Sequence, residues 1–318
     1  MEKISKFLRL FFKRRSRYPQ DIQLEVTNLC NFDCAMCPRD YLSLEYKDMP
    51  LEVARKCFDG MRDPRLITLT GWGEPLLAKS FFDILSLANS MFPKARINFT
   101  TNGILLNEDN IRKIMSLKVE RINVSYEGEE DGNDISAGHK NADQVLANLG
   151  ALIEARGDRK LPKIGFQVVL NSNDFSRLSK VIMQAKELGL DFVNLMRLDR
   201  SINQELERPG YDREQALLSQ AIRLGKKLKL RVFSINQSSL MLRLATHGDR
   251  LCPRTDNFIY VDVDGNVLPC CNLRRHRFGN VNSRSMNDIW NDYKFDCFFD
   301  NQYKTCGICD ALSQAQKS

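Results

Sequence analysis

From residue 20 onward, short runs rich in β-branched and aromatic residues alternate with longer stretches whose apolar positions recur every three to four residues. The runs at 22–26, 66–69, 96–100, 121–125, 164–170 and 192–196 predict strands. The intervening stretches at 51–61, 81–91, 108–117, 142–155 and 175–188 predict amphipathic helices, each with one face to bury. A repeated strand-then-helix order predicts a parallel sheet. About eight such units close a barrel, so the units visible here predict an α/β fold with an open, partial (β/α)6 TIM-like barrel over residues 20–235.

After a further helix at 213–228 and a strand-like run at 230–235, the pattern changes. Residues 258–268 read as a hairpin, two apolar runs turned by Asp264-Gly265. Cysteine-rich, loop-like sequence follows to the end. The expected organisation is an N-terminal arm at 1–19, the partial barrel at 20–235 and a small cysteine-rich domain at 236–318.

Composition narrows the class. Of 318 residues, 43% are hydrophobic and 27% charged, which excludes disordered, collagen-like and membrane-spanning chains. The net charge of +7 is local: residues 1–18 hold seven basic side chains against Glu2, which leaves +1 for everything else. That argues against nucleic acid as a partner, because its basic footprint would extend over the barrel. Within the arm, Ile4, Phe7, Leu8 and Phe11 have helical spacing before Pro19. A basic amphipathic helix of this kind packs on its own domain or makes membrane-surface contact through residues 1–18. The apolar stretch is broken by Arg9 and has no cleavage site, so it is no secretory signal. A reducing cytoplasm is expected, with peripheral contact at the inner membrane surface through the arm, and there clustered cysteines bind metal more readily than they pair.

The ten cysteines are unevenly placed. Cys30, Cys34 and Cys37 follow the first predicted strand, on the face where barrel enzymes carry their chemistry. Three soft thiolates this close can hold three corners of an iron–sulfur cube and leave one iron open. A three-thiolate zinc site is the alternative, although zinc ligands normally come in paired sets. Cys57, inside a predicted helix, reads as a small apolar core residue.

The C-x3-C-x2-C loop after a first strand resembles the signature of the radical S-adenosylmethionine (radical SAM) superfamily. Thr70-Gly71-Trp72-Gly73-Glu74-Pro75 resembles that family's Gly-Gly-Glu-Pro turn, with Trp72 in place of the first glycine. Thr101-Asn102-Gly103 and Ser125 resemble recurring positions after the third and fourth strands. The resemblance implies a cluster on Cys30, Cys34 and Cys37, and SAM contacts from Gly73, Glu74, Asn102 and Ser125. Met36 stands where many relatives carry an aromatic facing adenine, and its polarizable thioether can cover a ring equally well.

Cys252, Gly265, Cys270 and the later Cys306-Gly-Ile-Cys309 resemble the start of a SPASM domain, the cysteine-rich extension of many radical SAM enzymes. The sequence ends nine residues after Cys309, which resembles the shortened form called twitch, with one auxiliary 4Fe–4S cluster. The resemblance implies Cys252, Cys270, Cys306 and Cys309 as its ligands, with Cys271 and Cys297 as spare candidates. Structural zinc would suit the same four thiolates. His247 and His276 read as ordinary residues near this set.

Taken together, the resemblance implies reductive cleavage of S-adenosyl-L-methionine, hydrogen abstraction by a 5′-deoxyadenosyl radical, and oxidation of the substrate radical through the auxiliary cluster. The expected enzyme is a radical SAM oxidoreductase or maturase. The substrate is expected to be a small polar molecule or carbohydrate, with a peptide as the alternative and an external flavodoxin or ferredoxin as electron donor. A non-catalytic iron–sulfur electron carrier or metal scaffold is the reading from another class. Tyr126, Glu127, Asn171, Arg197 and Asp199 lie at predicted strand ends, where substrate contacts and ordinary salt bridges or caps are equally expected.

Overall fold

The computed structural model describes residues 16–42, 44–128, 141–171, 174–200, 205–234, 252 and 257–306. The N-terminal helix expected at 4–12, together with its membrane-surface role, lies outside these residues. So do His247, Cys309 and the expected boundary near 236.

Seven parallel strands pair in chain order, β1 (Asp21–Leu24), β2 (Leu66–Leu69), β3 (Arg96–Thr101), β4 (Arg121–Ser125), β5 (Lys163–Leu170), β6 (Phe192–Arg197) and β7 (Arg231–Ser234). The helices between them are α1 (Leu51–Asp59), α2 (Phe81–Met91), α3 (Glu108–Ser116), α4 (Ala142–Arg156), α5 (Phe175–Glu187) and α6 (Tyr211–Leu228). Strands β1 to β4 alternate in burial. Ile22, Leu24, Ile67, Leu69, Ile97, Phe99, Ile122 and Val124 are buried in one core with Leu85, Ile114 and Leu149 of the helices. The alternate positions, including Gln23, Thr68, Asn98, Asn123 and Gln167, are polar and face the other way. The strands therefore carry a helix-packed apolar face and a polar inner face, as strands of a barrel do.

The N-terminal end of the inner face is plugged. The Arg121 guanidinium lies 4.9 Å above the Phe192 ring and 5.9 Å from the Phe233 ring. Gly165 makes room for this plug, since a Cβ there would stand 2.6 Å from the Phe192 ring. The loops that carry Cys30, Gly73 and Asn102 lie at the other, C-terminal ends of the strands.

The expected hairpin forms, and it also extends the barrel sheet. Its first strand, β8 (Phe258–Val261), pairs parallel with β1, while β9 (Asn266–Leu268) and β10 (Gly279–Asn280) add antiparallel outside it. The stretch after β10, expected to be loop-like, contains three short helices, α7 (Met286–Trp290), α8 (Tyr293–Asp300) and α9 (Gln302–Cys306). Helices this short show little periodicity and are marginal alone. Tertiary packing holds them: Trp290 and Phe295 are fully buried against each other, and Trp290 Nε1 donates to Ser16 O at 2.8 Å. Among the described residues, no helix is long and apolar enough to cross a membrane.

Candidate active site

The loop carrying Cys30, Cys34 and Cys37 is clamped at its base. Just past β1, Thr27 Oγ1 accepts from Leu29 N at 3.0 Å and donates to Lys47 O. Asn28 Oδ1 accepts from Lys47 N at 2.6 Å, and its Nδ2 donates to Glu45 O at 2.8 Å. Inside the loop, Cys37 N donates to Cys34 O at 2.8 Å and Phe32 N donates to Cys30 Sγ at 3.4 Å. The buried Arg39 ties the loop to itself through Phe32 O at 3.1 Å. All three thiols are half-buried. Burial pushes the Cys30 thiol above its ordinary range, opposed by the Phe32 N–H and the nearby Arg39.

The turn after β2 locks onto this loop. Glu74 N donates to Leu29 O at 2.8 Å, and a Cβ on Gly73 would come within 2.4 Å of the same carbonyl and 2.6 Å of Thr27 O. Only glycine permits that approach. The Glu74 carboxylate, fully buried, accepts from Leu76 N at 3.1 Å, Thr101 Oγ1 at 2.7 Å and Asn102 N at 2.7 Å. Desolvation raises its pKa to about 7 against the pull of these donors. Asn102 completes the circuit: its Nδ2 donates to Asn31 Oδ1 at 2.8 Å and lies 4.0 Å from Cys30 Sγ, while its Oδ1 accepts from Ile104 N at 3.1 Å.

The loops after β1, β2 and β3 are thereby interlocked, bringing Cys30, Gly73, Glu74 and Asn102 together. Glu74 spends its side chain on this lock. Met36 is half-buried beside Cys37, and Ser125, half-buried, ends β4 one register step past Val124, which pairs with Thr101.

The C-terminal cysteines are dispersed. Cys270 and Cys271 pack on Phe258, Tyr260 and Leu268, whereas Cys306 is buried in the main core. Cys252 is drawn to the helix of Cys306, since its N–H donates to Gln302 Oε1 at 3.1 Å. Cys297 is exposed and Cys57 fully buried. His276 meets Phe298 edge-on at 6.1 Å. Among the described residues, no three His, Cys, Asp or Glu side chains gather as a ligand set for a single metal ion.

Several strand-end candidates have structural partners. Arg197 and Glu214 form a buried ion pair at 2.8 Å, Asp199 accepts from Asn272 at 2.6 Å, and Tyr126 stacks on Phe166 at 4.5 Å. Glu127 is buried at the end of the same segment as Tyr126, and the buried Nδ2 of Asn171 has no hydrogen-bond partner among the described residues. Sequence reasoning missed Asn31, Arg39, Glu25 and Arg274. Glu25 alone left a signal: it falls on the inner positions of Ile22-Gln23-Leu24-Glu25-Val26, where a carboxylate needs a partner.

Residues 24–171 match the Radical SAM superfamily, and residues 252–310 match the SPASM iron–sulfur cluster-binding domain. The tungsten-containing aldehyde ferredoxin oxidoreductase cofactor-modifying protein of Pyrococcus furiosus is 23% identical over 306 residues, 87% of this chain and 82% of that protein. A GTP 3′,8-cyclase of Shewanella denitrificans is 30% identical over 195 residues; the match spans 58% of this chain and 55% of the cyclase. Among solved structures, Streptococcus suis SuiB bound to S-adenosylmethionine aligns over 98% of this chain and 75% of its own, with a TM-score of 0.70 and 14% identity. SuiB bound to its precursor peptide SuiA aligns with a TM-score of 0.69 and 13% identity, over 74% of that chain.

These families imply S-adenosylmethionine and 4Fe–4S clusters as cofactors. The residues present fit them: three soft, half-buried thiols on one clamped loop suit iron–sulfur ligation, and that loop is packed against the turn at 71–74 through Gly73. The chain belongs to the radical SAM superfamily and carries a SPASM-type iron–sulfur cluster-binding domain in its C-terminal part.

Proposed function

We propose that Cys30, Cys34 and Cys37 hold the SAM-binding cluster, that Met36, Gly73, Glu74, Asn102 and Ser125 build the SAM pocket, and that Cys252, Cys270, Cys306 and Cys309 hold an auxiliary 4Fe–4S cluster. The net reaction is oxidation of a small polar molecule or carbohydrate, with a flavodoxin or ferredoxin as electron source. When bound, SAM and the two clusters together would supply one-electron reductive cleavage of SAM, hydrogen abstraction from the substrate and an acceptor for the remaining electron.

One observation carries the reading: the Glu74–Asn102–Asn31 hydrogen bonds that lock the cysteine loop to the two following strand-end turns. An electron carrier needs cysteines and no such pocket. The chain's own residues do the positioning. Gly73 lets its turn seat against the Leu29 and Thr27 carbonyls of the cysteine loop, Asn102 holds that loop through Asn31, and Arg121 stacks on Phe192 at the far end of the polar face.

The small polar substrate is supported by the inner face itself, where Gln23, Thr68, Asn123 and Gln167 are polar. A face of amides and hydroxyls matches a substrate rich in hydroxyl groups better than an apolar one. Peptide modification is the second reading, motivated by the likeness to SuiB, a structure bound to a precursor peptide.

Anaerobic reconstitution with iron and sulfide, followed by dithionite reduction, should release 5′-deoxyadenosine from SAM. Cys30→Ala, Cys34→Ala or Cys37→Ala should abolish that release, and Cys306→Ala should spare it while blocking product. Undiminished release from the triple variant would overturn the assignment.

A further inference from the structure

The segment that follows β9 reaches both sides of the barrel mouth. After Cys270 and Cys271, Asn272 Nδ2 donates to Asp199 Oδ2 at 2.6 Å, just past β6. Two residues on, Arg274 Nη2 donates to Glu25 Oε1, just past β1, and to Tyr260 Oη on β8 at 3.1 Å. In the sheet order β1 and β6 are five places apart, about 24 Å in a flat sheet at ~4.8 Å per strand. One short segment tied to both strand ends therefore lies across the opening of a curled sheet.

The tie at β1 is built into the fold. Glu25 is fully buried, and the Arg274 side chain is 12% exposed with its guanidinium 5.6 Å from the Tyr260 ring centroid. The same Glu25 Oε1 accepts from Trp72 N at 3.1 Å. Gly71 lacks a Cβ where one would stand 2.2 Å from Glu25 Cγ. A single carboxylate oxygen thus joins the turn that carries Gly73 to the segment that carries Cys270 and Cys271. A buried ion pair adds little net stability over an apolar pair of similar shape. What it does add is direction, because charge-assisted hydrogen bonds fix the relative placement of their partners.

We propose that Glu25 and Arg274 are positioning residues that latch segment 270–274 across the barrel mouth and set where Cys270 and Cys271 stand relative to the turn at 71–74. What the latch positions rests on the functional reading above; that it exists does not.

The test uses the full chain, reconstituted anaerobically, as wild type, Arg274→Met and the double variant Glu25→Gln/Arg274→Met. The double variant leaves no lone buried charge, so it carries the test if Arg274→Met alone does not fold. Hydrogen–deuterium exchange is followed at the amides of Leu273 and His276, which donate to Cys270 O and Leu273 O. Exchange there should rise at least tenfold in both variants. The paramagnetic signal of the reduced C-terminal cluster should change in both variants, and in Arg274→Met, which keeps Glu25 beside Trp72 N, the response of the N-terminal cluster to SAM should not. Wild-type exchange in the double variant would overturn the latch while leaving the cofactor reading in place. A loosened segment in a chain that takes up no iron would keep the latch and sink the cofactor reading instead.

Discussion

The two cysteine regions are organised on opposite principles. Cys30, Cys34 and Cys37 sit within eight residues on one loop, and the bonds that shape it are short in sequence or come from the two adjacent strand ends. The C-terminal cysteines are spread over more than fifty residues. They are placed by a hairpin added to β1, by helices packed through Trp290 and Phe295, and by side-chain ties to β1 and β6. A local motif survives as a motif in any fold that supplies its strand. A dispersed one exists only while tertiary packing holds it.

Substitutions that separate the two regions sharpen this contrast. The largest loss is expected from Trp290→Ala, about 3–5 kcal/mol for deleting a buried aromatic. Urea unfolding measures it, and hydrogen exchange should show the loosening confined to residues near α7–α9. Loosening of the 30–37 loop to the same extent would break the contrast.

Next in size is a pH effect on the N-terminal side. Burial lifts Glu74 to about 7 from its ordinary 4.5, so between these values the folded chain keeps a proton that the unfolded chain has released. Stability should therefore fall as pH climbs from 4.5 through 7, by about 3 kcal/mol, and level off above. Glu74→Gln should flatten this part of the profile, measured as urea midpoint against pH. A wild-type profile flat over the same window would refute the assignment.

Gly73→Ala should cost about 1–3 kcal/mol, because its Cβ would press on the Leu29 and Thr27 carbonyls. Here the expected damage is local to the SAM side: weaker SAM binding by calorimetry, with exchange near α7–α9 unchanged. The smallest effect is expected from Ser285→Ala, which removes the N-cap bond to Asp288 N and about 1 kcal/mol of stability. Thermal denaturation suffices to read it, and SAM cleavage should be unaffected.

Much of this molecule was legible in its residue order. Strand and helix positions followed from alternation and helical spacing, because each barrel unit buries one face and exposes the other to something different. The cysteine triplet and the turns at 71–75 and 101–103 were legible too, since their chemistry depends on neighbours in the chain. The helices after residue 285 were not, because five to eight residues give too little periodicity to register against a cysteine-rich background.

By itself, the order of residues determined which segments become strands, which face of each is apolar, and that three thiols share the loop after the first strand. Only the tertiary structure decided that the hairpin at 258–268 would extend the barrel sheet through β1, that Glu74 would spend its carboxylate on the neighbouring turn, and that Arg274 would find Glu25. Those outcomes depend on contacts between residues as many as 249 positions apart. No local pattern encodes such a pairing, because its free energy arises only once the intervening chain has folded and removed both groups from water.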